Sequence, residues 1–185
     1  MANWFETLNS LHSACWRQLT LQSVQMKPAL QTVLATLGTN GGPEARMVVL
    51  RGADRQAGTV DIHTDVTSVK ITELRRDPRA SIHLWNEADQ LQIRLRGDIS
   101  IASGSDSLRQ WARVPDGSRS NYGVVPAPGS MIPASDAYSR APDPAKFAVL
   151  ALKVAAMDVV HLSDDFHRRA LYTRADDWRG QWLAP

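Results

Sequence analysis

Along the first 24 positions, apolar residues recur at three- and four-residue spacing: Trp4, Leu8, Leu11, Cys15, Trp16 and Leu19. That period puts them on one face of an amphipathic helix. Cys15 lies on the face and reads as a small core residue rather than a reactive thiol. His12 lies one position off the stripe and is expected to be exposed. After Pro28 the pattern changes. Residues 29–37 are apolar and β-branched, and the Gly38-Thr39-Asn40-Gly41-Gly42-Pro43 cluster that follows is a turn by composition. Residues 46–51 read as a strand, 52–58 as a turn, and 59–64 as a second strand of alternating polarity. The three runs predict an antiparallel meander.

Residues 68–76 predict a short helix that Asp77-Pro78 stops. Strands are expected at 80–85 and 91–101. In the second, Leu91, Ile93 and Leu95 share one face, and Gln92, Arg94 and Arg96 share the other. Residues 105–113 predict a helix, with Ser103 or Ser105 as its cap. Residues 115–146 are rich in Pro, Gly and Ser and predict a long irregular loop, of a kind that is usually functional or mobile. The near-continuous apolar run 147–162 reads as one buried strand, and 170–173 with 178–183 as a final hairpin around Ala175-Asp176-Asp177. Seven or eight mostly antiparallel strands with a few short helices predict a mainly β fold, a barrel with helical additions. Residues 1–185 form one domain, with an N-terminal helix in 1–24.

Composition narrows the function classes. The chain has 185 residues, 43% hydrophobic and 22% charged, enough for one domain with a real core. Its 21 basic and 19 acidic residues nearly balance, so charge points to neither a nucleic acid nor a membrane surface. No apolar run reaches the roughly 20 residues of a membrane helix. The start, Met1-Ala2-Asn3-Trp4-Phe5-Glu6, lacks the regions of a signal peptide. A single cysteine allows no internal disulfide, and a cytoplasmic setting is expected.

The candidate chemistry is cationic. Arg46 stands at the opening of a strand, and Ser68 and Lys70 at the first turn of a short helix. Free N–H groups at a helix start suit a phosphate, which Arg and Lys bind by charge-assisted hydrogen bonds. Taken singly, each is more often a solvated surface charge. His63 and His83 read as ordinary strand residues. The five histidines show no metal-ligand spacing, so no metal is expected. No phosphate-binding glycine loop or nucleophile elbow is present.

Together these segments resemble the pyridoxamine 5′-phosphate oxidases. Arg46-Met47-Val48-Val49-Leu50-Arg51, Thr64, Ser68-Val69-Lys70, Asp77-Pro78-Arg79-Ala80 and Trp85 follow in that family's order. So do Gln92 with Gly97, Pro115 with Ser118, and Arg169-Ala170-Leu171-Tyr172-Thr173-Arg174, Trp178 and Leu183-Ala184-Pro185. The resemblance covers residues 29–185 and is closest to the FMN-binding, oxidase-related branch of unassigned substrate. It implies a split β-barrel homodimer with FMN at the subunit interface. Arg46 and Lys70 would hold the phosphate with Ser68 and Val69 nearby. Met47, Val48 and Val49 would line the ring, and Arg51 would stand beside it. His63 and Thr64 match an aromatic-Thr pair, with His in place of the usual aromatic. Gln92 matches a ring-binding glutamine, and Arg169 an arginine from the second subunit. On the substrate side the resemblance implies Arg51, Ser118 and His167.

The substrate side also departs from the family. Asp165 stands where an Arg is expected, Gln110 and Val114 replace a Tyr and an Arg, and Leu162 stands near the place of a Trp. Two functions follow from the resemblance: an FMN-dependent oxidoreductase of a small organic substrate, with little pyridoxamine 5′-phosphate oxidase activity, or a flavin carrier or sensor without turnover.

Overall fold

The computed structural model describes residues 3–24 and 31–185, with only the backbone of 22–24; the start of the strand expected from residue 29 lies outside the described residues. The elements are α1 (Leu8–Val24), β1 (Gln31–Leu37), β2 (Pro43–Asp54), β3 (Thr59–Asp65), α2 (Val69–Arg76), β4 (Arg79–Asn86) and β5 (Leu91–Ser103). They continue as α3 (Leu108–Trp111), α4 (Asp116–Arg119), β6 (Val124–Val125), β7 (Ser139–Arg140), β8 (Phe147–His161), β9 (Arg168–Thr173) and β10 (Gln181–Leu183).

Six antiparallel strands close into a barrel in the order β8-β3-β2-β1-β4-β5, with β5 returning to β8. β8 closes the barrel because β5 pairs along one of its edges, and its 15 residues leave room for two neighbours on the other. Its first half pairs with β3 (Phe147↔Asp65 to Lys153↔Thr59) and its second half with β9 (Ala156↔Thr173 to His161↔Arg168). The barrel is therefore split along β8, as the resemblance implied. Alternation on β5 follows the sequence pattern: Leu91, Ile93 and Leu95 are buried, while Gln92, Arg94 and Arg96 face away. Leu34, Leu50, Ile62, Ile82, Ile93 and Leu150 fill the interior. None of the described helices is long and apolar enough to cross a membrane.

Three local expectations need correction. His12 is not exposed; it keeps 6% of its surface. It stacks against Tyr172 at 4.8 Å and Trp178 at 5.6 Å, and its Nε2 accepts a hydrogen bond from Trp16 Nε1 at 3.0 Å. The C-terminal hairpin covers what the helix alone would leave open. The turn expected at 52–58 is shorter, because β2 runs on to Asp54 through a bulge. The same strand begins at Pro43, so Arg46 sits inside β2, three residues past its start. The helix expected at 105–113 is a 3₁₀ turn, Gly104–Ser107, followed by the short α3, with Ser103 before it making no side-chain cap bond.

Candidate functional site

β3 ends at Asp65, and a three-residue turn leads into α2. Asp65 fixes this turn: its Oδ1 accepts from the Thr67 amide at 2.8 Å and the Thr67 hydroxyl at 2.6 Å. Its Oδ2 accepts from the Gly123 amide at 3.0 Å, which ties the 115–146 segment to the same corner. Ser68 is the N-cap of α2, yet its hydroxyl makes no cap bond. It stands instead 3.2 Å from Thr64 Oγ1, which also accepts from Lys70 Nζ at 3.2 Å. A cavity of about 300 Å³ opens here, lined by Val49, Arg51, His63, Thr64, Ser68 and Lys70 from the barrel side and Tyr122 from the loop.

The electrostatics of this corner are asymmetric. Burial lowers the Lys70 pKa, and the neighbouring Arg46 lowers it further; Glu73 and Asp65 offset only part. Arg46 is already engaged. Its Nη2 donates to Glu73 Oε2 at 2.7 Å, its Nη1 donates to Thr36 Oγ1, and Thr36 donates in turn to Glu73 at 2.6 Å. Glu73 keeps only 3% of its surface, so the Arg46 charge is needed in the fold. Lys70 is a desolvated ammonium held by one hydroxyl, in a cluster whose cations exceed what its carboxylates satisfy. A phosphate bearing about two negative charges suits such a place.

His63 has its pKa lowered to about 4 by burial and by Arg51. It is a neutral imidazole packed edge-on to Phe147 at 4.8 Å. Burial raises the Tyr122 pKa, against Arg51, which lowers it by charge and by a hydrogen bond. Met47 is 59% exposed and Val69 53%, beside half-buried Val48 and Val49, so this flank is apolar and uncovered in one chain.

The remaining expected residues lie elsewhere. Gln92 and Arg169 both pair with Val160, near the end of β8. His63 pairs with Val149, near its start. Eleven residues of β8 separate the two places (149 to 160), roughly 35 Å of strand. Arg169 is held by Asp158, Nε to Oδ1 at 3.1 Å and Nη2 to Oδ2 at 2.9 Å, and Arg94 donates to the same carboxylate. Burial pushes the Asp158 pKa up, but the bonds from Arg169 and Arg94 outweigh it and the net shift is down. His167 and Arg169 line a separate cavity of about 410 Å³ with Phe166, Arg168 and Trp182. Ser118 lies in α4 and is not among the lining residues of the Lys70 cavity. Asp65, Asn121, Tyr122 and Pro128 line that cavity without having been foreseen. Only Asp65 left a trace in the sequence, as an Asp two residues before a Thr in a turn.

Comparison with known proteins gives a consistent picture. The sequence profile of the family described as "Pyridoxamine 5'-phosphate oxidase, FMN-binding domain" matches residues 12–103. Pyridoxine/pyridoxamine 5'-phosphate oxidase 2 of Arabidopsis thaliana is 33% identical over 131 residues, covering 64% of this chain and 66% of that protein. The pyridoxine/pyridoxamine 5'-phosphate oxidase of Cyanothece sp. is 35% identical over 104 residues, 56% of this chain and 47% of that protein. The alignments thus span about half to two thirds of these relatives' lengths. The crystal structure of a pyridoxamine 5'-phosphate oxidase-related, FMN-binding protein from Nostoc punctiforme superposes with a TM-score of 0.73 at 27% identity. It covers 100% of this chain and 99% of that one.

Proposed function

This chain belongs to the pyridoxamine 5′-phosphate oxidase-like family of FMN-binding split barrels, and from that premise we propose an FMN-dependent oxidoreductase of a small organic substrate, working as a homodimer. FMN is its cofactor. The observation that carries the reading is Lys70: a half-buried ammonium with a lowered pKa, facing the Thr64 and Ser68 hydroxyls in a cavity. The FMN phosphate would lie against Lys70, Ser68 and Thr64, with Arg46 behind them. Bound FMN supplies a ring that accepts a hydride. The residues of the chain bind it, orient it and exclude water.

The division of the expected site residues supports the homodimer. In one chain, Lys70 and Arg169 lie toward opposite ends of β8. A two-fold axis can bring the Lys70 end of one chain against the Arg169 end of another, and a two-fold pair has two such sites. The exposed Met47 and Trp85 side chains, 59% and 43% accessible, are suited to being covered in that contact.

The substrate differs from pyridoxamine 5′-phosphate. Val114 is 4% exposed and offers no charge. Asp165, where the resemblance implies an Arg, is taken up by Arg168 at 3.0 Å and offers no cation to a second phosphate. Two assays test the reading. Fluorescence-quenching titration is expected to give tighter binding of FMN than of riboflavin, and equal affinities would refute the phosphate site. Stopped-flow reduction by a screened substrate separates an enzyme from a carrier that never turns over.

A further inference from the structure

A second cavity, about 470 Å³, adjoins the Lys70 cavity and shares Arg51 and His63 with it. Its other walls are Gly52, Ala53, Asp54 and Asp61 from the β2–β3 hairpin, and Gln110, Arg113, Val114 and Pro115 from the segment after β5. The volume falls within the range of small-ligand sites.

The hairpin is built to expose charge here. β2 carries a bulge at Arg51, since Leu50 pairs with Ile62 and Gly52 already with Asp61. A bulge adds a residue and re-aims the side chains around it. Asp61 and His63, two apart on β3, share a face. Gly52 leaves the Asp61 carboxylate its room, because a Cβ at residue 52 would stand 3.0 Å from Asp61 Oδ2.

Four charged side chains, two of each sign, line this one space: Arg51, Arg113, Asp54 and Asp61. Among the described residues none of the four forms an ion pair. Arg51 and Asp61 are half-buried, and Arg113 and Asp54 stand at the exposed rim. Asp61 has its pKa raised by burial and by Asp54, with no cation offsetting either. Gln110 Oε1 is buried without a hydrogen-bond partner, so no polar contact at that atom locks the amide. Opposite charges left apart across a cavity are matched by a ligand that carries both signs at a corresponding separation.

We propose that this cavity is the substrate site and takes a small zwitterion, its ammonium against Asp61 and its carboxylate against Arg51 and Arg113. The assignment rests on the Lys70 cavity being the flavin seat, which makes the adjoining space the place for a substrate. His63, neutral at pH 7, forms the uncharged partition between the two.

The test is calorimetric titration of FMN-loaded and FMN-free protein with 4-(aminomethyl)benzoate, benzylamine, benzoate and benzyl alcohol. The zwitterion is expected to bind at least tenfold tighter than either singly charged probe, and benzyl alcohol most weakly. Asp61→Asn is expected to bring the zwitterion down to the level of benzoate, and Arg113→Gln, which leaves Arg51, to weaken it severalfold toward that of benzylamine. Arg113 is exposed, so its variant carries the test even where Asp61→Asn fails to fold. Equal affinities across the probes, no binding of the zwitterion, or variants that keep its preference overturn the proposal. Failure to bind FMN would overturn the flavin reading, whereas the ranking of the probes on FMN-free protein bears on this cavity alone.

Discussion

Replacing Lys70 by Met separates the phosphate reading from the stability of the fold, which replacing Arg46 cannot do. Arg46 neutralises Glu73, which is 3% exposed, through a 2.7 Å bond. Arg46→Ala strands a buried carboxylate, at a cost of about 3–5 kcal/mol of stability. Any loss of FMN affinity in that variant is mixed with a loosened barrel. Lys70 has no such debt. Its Nζ is held by Thr64 Oγ1 at 3.2 Å, and burial and Arg46 already disfavour its charge. Lys70→Met keeps the apolar stem, so the melting temperature of the cofactor-free protein is expected to hold or rise slightly. The lost charge-assisted bond to phosphate is worth about 1.5–3 kcal/mol, which weakens FMN roughly 10- to 150-fold. Riboflavin, having no phosphate, should bind both proteins alike. The pH dependence has a definite sign. Lys70 must be protonated to hold the phosphate, and its pKa without FMN lies below the ordinary lysine value. FMN affinity therefore falls as pH rises through that lowered value, and the Met variant loses this slope. Titration of FMN and riboflavin against pH measures both effects. Wild-type FMN affinity in Lys70→Met, or a stability loss equal to that of Arg46→Ala, would refute the argument.

Other outcomes follow from the same contacts. His12 has its pKa lowered to about 4 by burial, with Arg55 adding to it, while the unfolded chain titrates near the ordinary histidine value of 6.5. Between these values the unfolded state binds more protons, so stability falls as pH drops from 6.5 toward 4, by about 3 kcal/mol. Thermal melts should show that loss, and His12→Phe should flatten it, although His63 adds to the same slope. Gly97→Ala puts a Cβ 2.0 Å from the Lys153 carbonyl oxygen at the β5–β8 bulge. Urea unfolding should report a loss of about 1–3 kcal/mol; an unchanged midpoint would contradict the close approach. Mixing Lys70→Met and Arg169→Ala chains tests the shared site. Random exchange in a dimer restores full FMN affinity at about one site in four, whereas sites confined to single chains give no recovery. Sedimentation of a monomer that still holds FMN tightly would contradict the dimer.

The fold was legible where periodicity is a local property. The two-residue alternation of β5 and the turn clusters around Gly41 and Asp77 each follow from neighbours in sequence, and the barrel follows from their order. Three features depend on distant contacts and left weaker traces. His12 looks exposed on its own helix because Tyr172 and Trp178, which cover it, lie some 160 residues downstream. Tyr122 enters the cavity from a segment whose composition announces only irregularity, and the Asp65 bond to the Gly123 amide that docks it joins residues 58 apart. The bulge at Arg51 is a relation between β2 and β3, invisible in either strand alone. The same distinction applies to the site. The cluster proposed to hold the phosphate was readable because Thr64, Ser68 and Lys70 are brought together by one strand-to-helix turn. Gln92 and Arg169 could be matched only by resemblance, since their relation to Lys70 runs along the whole of β8 and, under the proposed two-fold, through a second chain. A sequence motif therefore reports the part of the proposed site that one turn builds, and the part proposed to come from a second chain is tested by exchange of subunits.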